Sequence, residues 1–436
     1  MVLFKFALVK VNMKSSTMRF SIKKTIGPGL LLAGAAIGVS HLVQATRAGA
    51  DYGFALWWVL LFACLTKYPF LEFGPRYAAA TGTTLIAGYR NLGLLPYWTY
   101  VFITFGTMFI IQAAVTIVTA GLAEQLFQLG FNNFIWSVII LGTCILLLMI
   151  GRYKALDISM KIIISILSIG TLLAVILAFG VEGTTEIIKE ETITYKNLAA
   201  LAFIVAFIGW MPIPIDASVW HSIWVREKSR QSGYEMNLKE ALFDFNAGYI
   251  IAAIMGLLFF LLGALIMFGS GSSFSSNSVT FSAQLVEMYG NTLGEWSKPL
   301  ISIAAFTAML STTLAVTDAF PRVIAHLYSL QAESTSLPSY RRKVVYNFSL
   351  ILIPIVAVSI LFFMSGSFTM LVDFAAGLSF LSAPILAWFN YTLVTGKHMP
   401  KEFRPGKYYK NFSFICFLAL SAFALSYLYL FFIIEI

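Results

Sequence analysis

Phe207-Ile208-Gly209-Trp210-Met211-Pro212-Ile213-Pro214-Ile215-Asp216-Ala217-Ser218 is the stretch on which the reading of this chain turns. It lies inside an apolar run from about Leu198 to Trp224. Pro212 and Pro214 cannot both sit within an unbroken helix, because each lacks an N–H and its ring crowds the preceding turn. Asp216 follows at about mid-membrane depth, where a carboxylate is costly unless something pairs with it. Broken backbone and charge at that depth are tolerated where they line a cavity enclosed by protein. The stretch therefore reads as one wall of a transport site.

Composition supports a membrane protein. Of the 436 residues, 59% are hydrophobic and only 11% charged, against roughly a quarter charged in a soluble domain. The net charge of +9 does not point to nucleic acid, because the basic residues stand in short runs between apolar stretches, as in loops on the inner side of a membrane. Cys64, Cys144 and Cys416 each lie within an apolar run and read as small buried hydrophobes, not as metal ligands or a disulfide. No cleavable signal is evident. Residues 1–25 form a basic cytoplasmic segment with scattered apolar residues, suited to the inner leaflet or to disorder.

A spanning helix needs about twenty mostly apolar residues. Eleven stretches qualify, at 26–47, 53–76, 96–122, 134–151, 156–181, 198–224, 240–270, 298–325, 343–364, 367–395 and 412–434. The expected fold is an all-α integral membrane protein with 11 transmembrane helices. Lys and Arg concentrate in alternate connections, among them Arg76, Arg90, Arg152, Arg226, Arg230, Arg322, Arg341 and Arg342, whereas the 182–197 connection is acidic. That asymmetry puts the N-terminus in the cytoplasm, with the plasma (inner) membrane of a bacterium as the expected location.

The first span carries Gly27-Pro28-Gly29 and then Gly34-Ala35-Ala36-Ile37-Gly38-Val39-Ser40-His41, a second candidate break. Five spans separate it from the Pro-Ile-Pro break, so the two halves run in opposite directions. Paired interruptions at matching positions mark the binding site of transporters built from inverted repeats. Residues 26–395 form the core, with 26–181 and 198–395 as 5+5 inverted repeats and helices one and six broken. Residues 396–436 add a cytoplasmic loop and an eleventh helix.

Asp216 is the sharpest candidate: it supplies a hard anionic oxygen to a cargo ion or carries a proton, or else complements the start of the half-helix after Pro214. His41, at the first break, is a metal ligand or proton relay, or a neutral histidine bonded to a neighbouring helix. Met211 offers a thioether, which selects soft transition metals, unless it only packs. Gly38, Ser40 and Trp210 complete the expected substrate shell, Gly38 and Trp210 through freed carbonyls. His221, Asp318 and Asp373 are candidates for a proton path, with structural readings beside it. Glu72 and Arg76, Asp157 and Lys161, and Asp318 and Arg322 are spaced i,i+4, as neutralising pairs are. Lys67 and Asp373 have no partner nearby in sequence, which leaves pairing between helices or a proton path. The run Ser311-Thr312-Thr313 through Thr317 faces the cavity or bonds back to its own helix. No nucleotide-binding loop, nucleophile elbow or dinucleotide fingerprint occurs, so an enzyme is not expected and transport must run on ion gradients.

Gly27-Pro28-Gly29-Leu30, Ala48-Gly49-Ala50-Asp51-Tyr52-Gly53, Arg76-Tyr77-Ala78-Ala79-Ala80-Thr81-Gly82 and Met211-Pro212 resemble motifs of the natural-resistance-associated macrophage protein (Nramp) family of proton-coupled divalent-metal transporters. The resemblance implies the leucine-transporter fold, with helices one and six unwound around the substrate. Where the family has Asp-Pro-Gly-Asn this chain has Gly38-Val39-Ser40-His41, and where it has Met-Pro-His-Asn the chain has Met211-Pro212-Ile213-Pro214. Only Met211 carries over as a ligand position. Two functions are therefore expected: a divalent-metal transporter with a rewired site of Asp216, His41 and Met211, or a carrier of another small solute, an inorganic anion or a small carboxylate. No resident cofactor is expected, and the expected partners are the bilayer and a small ion or solute, with no protein partner or nucleic acid.

Overall fold

A computed structural model describes residues 27–150, 153–179, 198–271, 273–332, 339–363 and 366–434, and every regular element in them is helical. The basic segment 1–25 and the acidic connection 182–197 lie outside the described residues, as do the side chains of Asp157 and Lys161.

Helix α1 (Pro28–Ala36) begins with proline in its first turn, where the missing N–H has no helical partner to lose. The chain breaks at Ile37–Gly38, resumes as a π-helical turn over Val39–Ala45, and continues as α2 (Thr46–Tyr52). Gly53, at φ 55°, turns it through a short 3₁₀ segment into α3 (Trp57–Thr81). Then come α4 (Leu85–Leu92), α5 (Leu94–Phe127), α6 (Asn133–Ile150) and α7 (Tyr153–Ala178). The central run divides into α8 (Leu198–Trp210) and α9 (Ala217–Ser232), on either side of the double-proline stretch. The rest is α10 (Leu238–Ile266), α11 (Ser278–Leu293), α12 (Ser297–Ala332), α13 (Ser339–Phe363), α14 (Phe368–Thr395) and α15 (Lys407–Ile434).

Eight helical runs among the described residues are long and apolar enough to cross a membrane, with Ser165–Ala178 and Ala199–Trp210 as shorter apolar helices. Large apolar side chains face outward along several of them, including Phe102, Ile169, Phe348 and Ile355. In water such a surface would aggregate; in a bilayer it is the lipid face. The broken helices lie inside: α1 and α2 pack along α10, α8 on α14 and α9 on α3, while α15 covers α3 and α14 from outside.

Helices α4 and α11 were not expected, because neither offers twenty apolar residues. Asn277 starts α11 by accepting from the N–H groups of Val279 and Thr280, and one face buries Phe281, Leu285, Val286 and Tyr289. A half-buried helix of this kind is invisible to a search for membrane spans.

Close approach fixes the pairing of α1 with α10. The Asp244 carboxylate of α10 accepts from the N–H of Gly27 at 2.9 Å and of Gly29 at 2.6 Å, satisfying donors that α1 leaves open at its start. A Cβ on Gly248 would stand 1.9 Å from the Gly29 carbonyl oxygen. Gly248→Ala must push the two backbones apart, at a cost of about 1–3 kcal/mol. A fall in the thermal unfolding midpoint of the purified chain in detergent is expected; an unchanged midpoint would show that the contact is slack.

Candidate functional site

Both breaks are present, and they face each other. A cavity of about 30 Å³ lies between them, lined chiefly by Ala35, Val39 and Ser40 of the first break, Trp210 and Ile213 of the second, and Thr312 of α12. That volume suits about one water molecule. Ile111 and Val115 of α5, Pro214, Trp220 and Val316 complete the wall. Its polar groups are few: the Thr312 hydroxyl donates to Gly34 O at 2.9 Å, and the Trp210 indole N–H is turned away to Ser379 Oγ at 3.0 Å.

Of the expected substrate shell, Ser40 and Trp210 line this cavity; His41, Asp216 and Met211 do not. Gly38 abuts it, since a Cβ there would meet Thr312 Oγ1 at 2.4 Å. His41 is fully buried and turned toward α10: its Nε2 lies 2.8 Å from Ala252 O and its Nδ1 2.7 Å from Ser40 Oγ. With a carbonyl facing Nε2, that nitrogen carries the proton and donates. Met211 meets it there. A methyl built on Gly256 would stand 2.8 Å from Met211 Sδ and 3.6 Å from His41 Nε2, so sulfur and imidazole share the space that this glycine leaves open.

Asp216 has other neighbours, with Lys67 of α3 within electrostatic reach. It occupies the N-cap position of α9, yet its side chain makes no cap bond, and its Oδ1 is buried without a hydrogen-bond partner. Neither Asp216 nor His41 is among the residues that line the cavity between the breaks. The double-proline turn holds the carboxylate on the side of Lys67, within electrostatic reach of that ammonium, and Met211 on the side of His41. Lys67 is wholly buried, and its Nζ donates to Gly209 O at 2.9 Å and Ile213 O at 3.1 Å.

The proposed proton-path residues scatter. Asp373 sits at one face of the bundle, where Arg47 Nη1 and Nη2 donate to its two oxygens at 2.9 and 3.2 Å and Gln44 Nε2 donates at 2.9 Å. Arg47 also lies over the Phe203 ring, 4.8 Å from its centre. Asp318 sits toward the opposite face, bonded by Arg322 Nε at 2.5 Å and by the Tyr346 hydroxyl at 2.6 Å. Beside it Glu227 takes Arg342 at 2.8 Å and Arg230 at 3.1 Å. His221 is buried against Phe245, and neither ring nitrogen has a hydrogen-bond partner. These three do not form a chain of contacts. Arg76 clasps Glu72 with two nitrogens, as the i,i+4 spacing predicts. In the Ser311–Thr317 run, Thr312 reaches the cavity while Thr313 pairs with Thr119 at 2.7 Å. Among the described residues, no three His, Cys, Asp or Glu side chains come together as a metal-holding group.

Helices broken at two facing points, packed in a bundle with a cavity between them, make up the leucine-transporter fold. Solved structures share that architecture. A manganese transporter variant from Eremococcus coleocola superposes with TM-score 0.69 at 15% identity, covering 94% of this chain and 88% of that one. Mhp1, a nucleobase-cation-symport-1 family transporter, does so with TM-score 0.56 at 15% identity, covering 94% and 92%. The sequence goes further than the fold. The model of the family described as natural resistance-associated macrophage protein-like matches residues 29–430, and the chain belongs to that family. It is also 35% identical over 380 residues to an uncharacterized protein of Pasteurella multocida, covering 86% of each. It is a transporter in the membrane, and not an enzyme.

The bidentate Arg47–Asp373 pair ties α2 to α14 over Phe203 of α8, and it is expected to hold that side of the bundle shut. In a background with Cys64, Cys144 and Cys416 replaced by Ala, Val39→Cys should react with a small hydrophilic maleimide several-fold faster once Asp373→Asn is added. Equal rates would show that the pair does not hold that side shut.

Proposed function

We propose that this transporter carries a divalent transition-metal ion of the manganese or iron kind, through a site that differs from the family's usual one, and that a proton gradient drives it. One observation carries the reading: Met211 Sδ and His41 Nε2 meet at Gly256, where the two breaks touch α10. A thioether, an imidazole and the nearby Ala252 carbonyl favour softer transition metals over magnesium or calcium. The manganese transporter with the same fold gives independent support for a metal cargo. His41 must release Ala252 O to ligate. Ser40 makes a second protonation state available, since its hydroxyl can donate to Nδ1, or accept from it while donating to Ala36 O at 2.7 Å. Proton and metal would then compete for one ring, which is a means of coupling.

A second reading keeps the machinery and changes the cargo. The cavity wall of Val39, Ile111, Val115, Trp210, Trp220 and Val316 is apolar and offers a hydrated metal ion little. A small solute with an apolar body would suit it better.

Purified chain in liposomes, assayed for Mn²⁺ and Fe²⁺ uptake with and without an inward proton gradient, decides between them. Uptake that the gradient accelerates, and that Met211→Leu and His41→Ala each lower by tenfold or more (about 1.4 kcal/mol per decade), is the expected result. Metal uptake unaltered in both variants would remove the site. No metal uptake, with gradient-driven flux of a small carboxylate or other organic solute, would establish the second reading. The face bearing Arg230 and Arg342 is proposed to be cytoplasmic, at a bacterial inner membrane with the N-terminus inside. A cysteine introduced in place of Arg230 should then be labelled by an impermeant reagent only in opened cells; labelling in intact cells would reverse the orientation.

A further inference from the structure

We infer that the break between α8 and α9 forms a site for a monovalent cation and that Lys67 fills it with its own ammonium, as a tethered ion. The carbonyl of Gly209 belongs to the last turn of α8, the end of a helix where dipoles favour positive charge, and that of Ile213 belongs to the unwound stretch. Both point at Lys67 Nζ, at 2.9 and 3.1 Å, and the Asp216 carboxylate, with its buried unpartnered oxygen, stands within electrostatic reach. Unwound carbonyls and the C-terminal ends of half-helices coordinate the sodium ion in broken-helix transporters, and here a carboxylate adds an anionic charge in reach. Here α3 sends the cation across on a side chain, wholly buried from its Cα to its amine. A tethered charge cannot leave with the cargo, so the break keeps its shape without sodium or potassium in the medium. The inference concerns Lys67, Asp216 and two main-chain carbonyls, and does not depend on the identity of the cargo.

The test removes the tether. The full chain, in detergent, is compared in sodium, potassium, methylammonium and choline chlorides at equal ionic strength, with thermal unfolding as the readout. Wild type should be indifferent to the cation. Lys67→Ala should unfold earlier in choline and regain several degrees in at least one of the three smaller cations, which fit the vacated space. Lys67→Met should unfold earlier and regain nothing, because its side chain fills that space without charge. Lys67→Ala insensitive to all three cations, or Lys67→Met matching wild type, would overturn the inference. Should Lys67→Ala yield no folded protein, Lys67→Ala combined with Asp216→Ala decides. Recovery of folded protein supports an ammonium balanced against the break, and failure to recover overturns it.

Discussion

Inside hydrocarbon no water is at hand to bond a peptide group, so a helix that opens there must find partners for every N–H and C=O it releases. The two breaks of this transporter meet that demand almost wholly from within the protein. At the first, Thr312 takes the Gly34 carbonyl, the N–H of Gly38 takes that of Ala36, and the N–H groups of His41 and Leu42 take that of Gly38. At the second, Lys67 takes those of Gly209 and Ile213, and the first turn of α9 closes on Pro214, Ile215 and Asp216. Ser40 stands between the two, its Oγ 2.7 Å from Ala36 O and 3.3 Å from Pro212 O. Of the helices framing these breaks, α3 and α12 supply donors through Lys67 and Thr312, and α10 supplies acceptors through Ala252 O and the Asp244 carboxylate.

That arrangement gives the double-proline turn two chemically distinct sides. Toward α10 it presents sulfur beside imidazole, without charge. Toward α3 it presents an ammonium on carbonyl oxygens with a carboxylate in reach. The cavity between the breaks is neither of these; it is small and walled by branched and aromatic side chains. A carrier that keeps its buried charges paired on one side, away from soft donors on the other, can alter its cargo site without disturbing what holds the helix open.

The fold was largely legible in the sequence because its signals are local. Two prolines in an apolar run and a Gly-Pro-Gly before a small-residue stretch each report on a few neighbouring positions. The site was legible only in part, because its geometry is set by contacts far apart in the chain. Asp216 and Met211 are five residues apart, yet the carboxylate is within reach of Lys67 and the sulfur stands beside Gly256 and His41. Lys67 showed itself as a buried charge lacking a local partner; that its partners are main-chain oxygens of residues 209 and 213 could not be read from side-chain types. The apolar lining from Ile111, Val115 and Val316 resembles any other core in sequence. Asp244 lay unremarked inside an apolar span, and only the placement of α1 gives its carboxylate two donors.

Helix α10 touches the first broken span along its whole length through residues without a side chain. Gly248 lies on Gly29, Gly256 opens the space beside His41, and Gly263 lies on Thr46. The intervals are eight and seven residues, close to two helical turns, so all three glycines fall on one stripe. Such a stripe is a smooth rail: the two severed halves stay aligned on it although their own continuity is lost. Any rocking that admits cargo must then carry α10 along with both halves as one rigid lever, and the hinge must lie where that lever meets its neighbours, not at the gap in the helix itself.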